Sequence, residues 1–149
     1  MEKRVNYDQV APEALKGMLA LEEYVAHSGL EKSLYELVKL RASQINGCAY
    51  CIDMHTKDAR DTGETEQRLH ALTAWQETPF FTEPERAALE WTEVMTLISE
   101  NDISDALNES VTEQFNEKEH VALSMAIVTI NGWNRLAIGF RKEPGSYKS

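Results

Sequence analysis

Residues 36–55 read ELVKLRASQINGCAYCIDMH, and this stretch contains both cysteines of the chain. Cys48 and Cys51 are three residues apart, and His55 follows four residues after Cys51. If a helix begins near Cys48, all three side chains lie along one of its faces. The first turn of a helix has free backbone N–H groups and the positive end of the helix dipole, which favour an anionic sulfur. The spacing therefore suits a reversible dithiol–disulfide pair.

The rest of the chain also has the apolar spacing of helices, and no segment shows the convincing alternation of a strand. SGLE at 28–31 predicts a capping box, with Ser28 as the N-cap of a helix that ends at NG, residues 46–47. Further helices are expected from the cysteines to about Asp61, over 64–75, from TEPE at 82–85, over 104–114, and from NEKE at 116–119 to about Phe140. These patterns predict an all-α fold of six to seven helices.

The last predicted helix is apolar nearly all round between residues 121 and 130. Such a helix is expected at the centre of the fold or at a subunit interface, so we expect a homo-oligomer. The apolar run is too short and too rich in Ser and Thr to predict a membrane span. Asn131, Asn134 and Arg135 follow this run, and we expect structural hydrogen bonds from them.

The length of 149 residues suits a single domain over 1–149, and no segment has the composition of a linker. Residues 142–149 have the composition of a frayed end. The first residues lack the apolar segment of a signal peptide, so we expect a cytoplasmic protein. In that reducing compartment, a cysteine pair is more often redox-active or metal-binding than a structural disulfide.

The formal net charge of −10 is concentrated in residues 77–119, which hold twelve acidic and only two basic residues. A negative field of this kind repels phosphate backbones, so nucleic-acid binding is not expected.

Several chemistries are compatible with the cysteine pair. Covalent haem attachment requires a histidine directly after the second cysteine, where this chain has Ile52, so it is set aside. A zinc site would use Cys48, Cys51 and His55 and would need a fourth ligand, for which His27, His70 and His120 are the candidates. Inert core cysteines are the third interpretation that stays open, beside redox catalysis and a zinc site.

Glu36 is a candidate proton acceptor because it lies in an apolar setting, SLYELVKL, on the helix that precedes the cysteines. Most glutamates on helices are exposed, however. Periodicity alone therefore favours a solvent-facing Glu36 paired with Lys32 or Lys39.

The pattern of a glutamate, eleven residues, C-x-x-C, three residues and a histidine resembles the signature of the alkylhydroperoxidase D-like (AhpD-like) branch of the carboxymuconolactone decarboxylase family. INGWNRLAIGFR near the C-terminus is also similar to members of this family, and the resemblance spans roughly residues 30–141. It implies an all-α fold assembled as trimers or hexamers, and peroxide reduction by the cysteine pair without flavin, haem or metal.

The resemblance also implies roles for individual residues. Cys51 resembles the peroxidatic thiol, Cys48 the resolving thiol, and His55 and Glu36 members of a proton relay. Well-studied members have a further relay histidine just before the second cysteine, where this chain has Tyr50 as the candidate relay residue. The expected substrate is a hydroperoxide, and an external dithiol or disulfide reductase is the expected electron donor. As an alternative, the protein would be a disulfide reductase or an adaptor that passes electrons to an AhpC-type peroxiredoxin.

Overall fold

A computed structural model describes residues 2–149, and this part of the chain contains helices and no strand. The eight α-helices are α1 (Tyr7–Val10), α2 (Pro12–Ala26), α3 (Lys32–Asn46), α4 (Ala49–Asp61), α5 (Glu66–Ala71), α6 (Glu83–Thr96), α7 (Asp105–Gln114) and α8 (Glu117–Gly139). A 3₁₀-helix, Leu72–Glu77, follows α5 directly. The predicted all-α class is confirmed. The predicted six to seven helices are too few, because the sequence patterns do not mark α1 and α2.

The helix starts predicted at TEPE and NEKE are capping boxes in the structure. Thr82 and Glu85 cap α6, and Asn116 and Glu119 cap α8, each through a reciprocal pair of hydrogen bonds. The prediction for Ser28 is wrong, because Ser28 lies in the turn that follows α2. Its hydroxyl donates to the carbonyl of Val25 at 2.6 Å, and α3 begins only after residue 31.

Helix α3 is the central element and packs against α4, α6 and α8. Its apolar side chains enter two buried clusters. The first joins α3 to α6, α7 and α8 and includes Leu34, Val38, Trp91, Val111 and Ile127, and the second joins α3 to α5, the 3₁₀-helix and α6 and includes Leu37, Leu40, Leu69, Leu72 and Leu89. Each fully buried side chain of this size contributes about 1.5–3 kcal/mol relative to an exposed one. Burial on both sides holds α3 rigidly beneath α4.

Helix α8 buries one face and exposes another. Leu123, Ile127 and Ile130 are in the core, whereas Val121 and Val128 on the same helix are 55% and 47% exposed. The expected central position is therefore confirmed for one face of α8, and oligomerisation through the other stays a prediction. Judged by length and composition alone, α8 is long and apolar enough to cross a membrane. That is weak evidence, because the core helix of a soluble protein meets the same criterion.

Polar side chains connect the end of α3 to α8. The Asn46 side-chain amide donates to the side-chain oxygens of Asn131 and Asn134, both at 2.9 Å, and Asn134 donates to the Ser43 hydroxyl at 3.0 Å. Arg135 donates to the carbonyl of Asn131 at 2.9 Å. The structural hydrogen bonds expected from these residues are confirmed, and they fix the turn that precedes the cysteines.

The C-terminal tail, whose composition predicts fraying, makes several contacts with α4. The Tyr147 hydroxyl donates to Asp58 at 2.6 Å, Lys57 donates to the carbonyl of Tyr147 at 3.0 Å, and the backbone N–H of Gly145 donates to Asp53 at 3.2 Å. The tail therefore lies along the helix that carries Cys51 and His55.

Candidate active site

The turn between α3 and α4 places the first cysteine at a helix N-terminus. Gly47 ends α3 with φ of 69°, in the left-handed region that favours glycine. The backbone N–H of Cys48 then donates to the carbonyl of Ser43 at 3.0 Å. Cys48 is the N-cap of α4, and its sulfur accepts a hydrogen bond from the backbone N–H of Cys51 at 3.3 Å. Helix α4 thus begins where the spacing predicts.

Cys48 and Cys51 form a disulfide, with their Cα atoms 5.3 Å apart. Both residues are buried, at 1% and 3% exposure, and they pack against Ala137 of α8 and against Tyr50. The two cysteines are therefore close enough to interconvert between dithiol and disulfide without rearrangement of the backbone.

A hydrogen bond joins Glu36 of α3 to His55 of α4. Nδ1 of His55 lies 3.1 Å from Oε2 of Glu36, and the two residues are only 5% and 3% exposed. Two features bring them together: α3 packs directly against α4, and His55 lies one helical turn after Cys51. The interpretation of Glu36 as solvent-facing is wrong, because the apolar neighbours in its sequence mark a buried position.

Lys39 is the second partner of Glu36. Its ammonium nitrogen lies 2.9 Å from Oε1 of Glu36 and 3.8 Å from the centre of the Tyr35 ring, and Lys39 is itself only 6% exposed. Burial alone would raise the pKa of Glu36, but the hydrogen bond with His55 and the charge of Lys39 outweigh it. The pKa of Glu36 is therefore below its usual value, and this carboxylate stays ionised at neutral pH.

Asp58 and Tyr147 extend this group of side chains. Asp58 Oδ2 is 3.8 Å from His55 Nδ1, and Asp58 Oδ1 accepts the hydrogen bond of the Tyr147 hydroxyl. That hydrogen bond is the first cause that raises the pKa of Tyr147, so Tyr147 remains a donor. The sequence interpretation missed both residues. The helical spacing of residues 51, 55 and 58 could have indicated Asp58, whereas nothing in the sequence pattern indicates Tyr147.

A cavity of about 310 Å³ opens beside the second cysteine, and we call it the Cys51 cavity. Cys51 and His55 line it together with Leu15 and Leu19 of α2 and Trp133 of α8. Most of its surface is apolar. The cavity can therefore hold a small organic molecule against the Cys51 sulfur and the His55 ring.

Asp8 of α1 and Glu22 of α2 are the carboxylates that line this cavity, and the sequence interpretation missed Glu22 as well. Its two oxygens accept hydrogen bonds from the Trp133 indole N–H at 2.9 Å and from the Tyr35 hydroxyl at 2.5 Å. These two hydrogen bonds hold the Glu22 carboxylate against the cavity wall. Its contacts indicate a role in fixing Trp133 rather than in proton transfer at Cys51.

The structure does not assemble the zinc site considered from the sequence. Over residues 2–149, the ligand group that could hold a metal ion is Glu36, His55 and Asp58, whose ligand atoms lie within 4.8 Å of one another, and it includes neither cysteine. Both oxygens of Glu36 already bind Lys39 and His55, so a cation would have to displace Lys39. Of the proposed fourth ligands, His27 contacts the Glu23 carbonyl, His70 contacts Glu66, and His120 packs against Trp91.

Comparisons with known proteins agree with this fold. The model of the carboxymuconolactone decarboxylase family matches residues 12–94. An uncharacterized protein of Bacillus subtilis, YdfG, is 45% identical over 98% of this chain and 99% of its own length. An alkyl hydroperoxide reductase AhpD of Mycobacteroides abscessus is 45% identical over 49 residues, which are 32% of this chain and 28% of that protein.

A crystal structure of similar fold extends the comparison. ATU0492 of Agrobacterium tumefaciens, a protein of unknown function for which an AhpD-type antioxidant-defence role has been suggested, superposes with a TM-score of 0.93. It is 44% identical, and the match covers 98% of this chain and 100% of that one. The family model covers more than half of the chain, and the relatives of similar length match it end to end. The chain therefore belongs to the carboxymuconolactone decarboxylase family and has the AhpD-like fold.

Proposed function

We propose that the protein is a thiol-dependent peroxidase that reduces organic hydroperoxides with the Cys48–Cys51 pair. The observation that carries this proposal is the position of a reversible cysteine pair beside an apolar cavity, next to a histidine that a buried carboxylate orients. Relatives named alkyl hydroperoxide reductase AhpD, although matched over only about a third of this chain, support the same chemistry. The apolar walls favour an organic hydroperoxide over hydrogen peroxide.

The first step is oxidation of Cys51. Its thiolate attacks the terminal oxygen of the hydroperoxide, a new S–O bond forms, and the O–O bond breaks. The sulfur becomes a sulfenic acid, and the alkoxide that leaves takes up a proton and departs as an alcohol. The thiol of Cys48 then attacks the Cys51 sulfur, which closes the disulfide and releases water. In sum, one hydroperoxide and two thiols give one alcohol, one water and one disulfide.

His55 is the proposed proton acceptor for the Cys51 thiol. The ionised Glu36 accepts a hydrogen bond from Nδ1 of His55, so the neutral imidazole carries its proton on Nδ1. Nε2 then keeps a free lone pair. The negative charge of Glu36 also stabilises the imidazolium that forms when His55 takes a proton. With its lowered pKa, Glu36 is a weak base, so we propose that it acts through His55 rather than directly on the thiol.

The departure from the family pattern at Tyr50 fits this assignment. A phenol is a poor base near neutral pH, so Tyr50 cannot replace a relay histidine. Its ring lies 4.8 Å from the Lys142 ammonium and packs on the cysteines. We propose that His55 supports proton transfer alone, and that the peroxidase is slower than relatives with two histidines.

Turnover requires an external dithiol, which returns the disulfide to two thiols by exchange. We also propose that the protein acts in the cytoplasm as a homo-oligomer, and that catalysis uses no flavin, haem or metal.

A single-turnover experiment tests the proposed function. The fully reduced protein is mixed with one equivalent of cumene hydroperoxide, and free thiols and the product alcohol are counted. The proposal predicts the loss of two thiols for each alcohol formed, and no alcohol from Cys51→Ser. If the wild-type thiols persist while the disulfide form still exchanges with small dithiols, the disulfide-reductase or adaptor function replaces the peroxidase.

A further inference from the structure

The two cysteines of the disulfide border different recesses. The Cys51 cavity is bordered by Cys51 and not by Cys48. A second recess of about 620 Å³ is bordered by Cys48 and not by Cys51, and we call it the Cys48 recess. It lies between the turn before α4, the end of α8 and the segment after α8, where Ile138, Arg141 and Pro144 line it.

A small group of side chains separates the two spaces. Tyr50, Ala137 and Lys142 line both of them. The Lys142 ammonium lies 4.8 Å from the centre of the Tyr50 ring and 3.0 Å from the carboxylate of Asp8, so it fastens this partition to α1. Tyr50, the residue between the cysteines at the position of the family's relay histidine, is therefore part of a wall between the two recesses.

We propose that the two half-reactions use opposite sides of this wall: the hydroperoxide reaches Cys51 through the Cys51 cavity, and the reducing dithiol attacks Cys48 through the Cys48 recess. This inference rests on the proposed function for the identity of the oxidant. The reducing half stands on the geometry of the disulfide and the two recesses.

The sulfur chemistry is consistent with attack on that side. A thiolate of the reductant attacks the Cys48 sulfur, the Cys48–Cys51 bond breaks, and Cys51 leaves as a thiolate while a mixed disulfide forms on Cys48. The second thiol of the reductant then attacks the reductant's first sulfur, which is bonded to Cys48 in the mixed disulfide. This step releases Cys48, which takes up a proton, and the reductant departs as a disulfide with two electrons transferred. Cys51 is thus left in the ionisation state that the next peroxide requires.

The geometry of the Cys48 recess also limits the reductant. Cys48 is only 1% exposed, so the attacking sulfur must enter the recess to reach it. The rim carries charges of both signs, including Lys3 and Arg141 against Glu2 and Glu143, and so does not select strongly for a charged donor. The recess therefore selects for a dithiol small enough to enter it.

Two matched tryptophan substitutions test the separation. Ile138 borders the Cys48 recess, Leu19 borders the Cys51 cavity, and both are exposed apolar residues, at 45% and 57%. A tryptophan at either position narrows one space and leaves the other open. Two rates are measured for each variant: oxidation of the reduced protein by cumene hydroperoxide, and reduction of the disulfide form by dithiothreitol.

We expect Ile138→Trp to slow reduction by about tenfold or more and Leu19→Trp to slow oxidation by a similar factor. The other half-reaction of each variant should change by less than about twofold, as for ordinary surface substitutions. Circular dichroism verifies the fold, and Ile138→Phe and Leu19→Phe replace any variant that does not fold.

The inference is overturned if both variants slow the same half-reaction, if each slows both equally, or if Ile138→Trp leaves the dithiothreitol rate unchanged. Failure of the wild type to react with any hydroperoxide would instead refute the proposed function. The dithiothreitol measurement needs no peroxide, so it would still decide through which recess the reductant reaches the disulfide.

Discussion

Glu36 and His55 are nineteen residues apart in the chain, yet Oε2 of Glu36 lies 3.1 Å from Nδ1 of His55 in the buried layer between α3 and α4. A buried charge of this kind is costly unless it is paired, and Lys39 supplies the second partner at 2.9 Å. The arrangement keeps Glu36 ionised and fixes the orientation of the imidazole beside the Cys51 cavity. The predictions below follow from this contact and from its surroundings.

The buried ion pair of Lys39 and Glu36 has an exposed counterpart with the same residue types and spacing, Glu13 and Lys16 on α2. Lys39→Met should lower the free energy of unfolding by about 3–5 kcal/mol, because it leaves the buried Glu36 without its cation. Lys16→Met is the control and should have no measurable effect, since that pair is solvated. Urea denaturation measures both variants, and equal small effects would contradict the account.

The same variant should change the acid side of the stability curve. In the wild type the pKa of Glu36 is lowered on folding, so its ionised form stabilises the protein above its usual pKa of 4.5 and that stability is lost as the pH falls through the lower folded value. Loss of Lys39 removes one cause of the lowered pKa. The stability lost on acidification should therefore be smaller in Lys39→Met than in the wild type, and the loss should be complete at a higher pH, as urea denaturation at a series of acidic pH values would show.

The assignment of the two thiols predicts different products after one oxidation. Cys48→Ser should leave a sulfenic acid on Cys51, because serine cannot close a disulfide, and dimedone should trap it. Cys51→Ser should give no such adduct and no alcohol. Mass spectrometry of the labelled peptides gives the outcome. Cys48 is the N-cap of α4, and its sulfur accepts a hydrogen bond from the N–H of Cys51, which would favour a thiolate on Cys48 instead. The test therefore discriminates between the two assignments. An adduct on Cys48 would exchange the two roles.

Tyr147 should hold the C-terminal tail on α4. Tyr147→Phe removes the hydroxyl that donates to Asp58, so backbone amides of residues 143–149 should exchange hydrogen faster, as is general for ends that are not tied down. Tyr24→Phe on α2 is the control, because Tyr24 is 46% exposed and distant from the tail in sequence. Hydrogen-exchange mass spectrometry compares the two. Unchanged exchange in Tyr147→Phe would show that this hydrogen bond does not retain the tail.

The sequence predicts a large part of this structure and less of the site. Regular apolar spacing and capping boxes locate α4, α6, α7 and α8, because those signals are local. The buried position of Glu36 is not local, since it depends on α4 packing over α3, and periodicity alone places this residue in solvent. Asp58 was missed although it continues the helical spacing of Cys51 and His55.

Glu22 and Tyr147 illustrate the limit more clearly. Each reaches the site from a segment far from the cysteines in the chain, α2 and the C-terminal tail, and each is held by a tertiary hydrogen bond. No spacing rule links them to residues 48–55. Their roles follow only from contacts formed when the chain is folded.

Assembly is the next prediction. Val121 and Val128 lie one above the other on α8 and are about half exposed, although Leu123, Ile127 and Ile130 of the same helix are buried. Exposed apolar side chains on a central helix favour contact with another copy, so light scattering at micromolar concentration should report a trimer or hexamer. Val128→Asp should weaken that assembly without loss of helix content in circular dichroism. A wild-type monomer would contradict the prediction.

The central claim is that Glu36 promotes proton removal from the Cys51 thiol through His55. Glu36→Gln should keep both thiols and the cavity but remove the charge that stabilises the imidazolium, so oxidation at neutral pH should slow by about a hundredfold or more. The loss should decrease as the pH rises, because the thiolate then forms without a base. Glu93→Gln is the control, since Glu93 is a partly buried glutamate that binds Arg41 and Trp75 away from the site.

The most direct measurement is the pH profile of single-turnover oxidation by cumene hydroperoxide for the wild type, Glu36→Gln and Glu93→Gln. We predict that Glu93→Gln follows the wild type, and that Glu36→Gln is slow at neutral pH and approaches the wild type at high pH. If Glu36→Gln matches the wild type across the whole pH range, Glu36 has no part in activating Cys51 and the relay is contradicted.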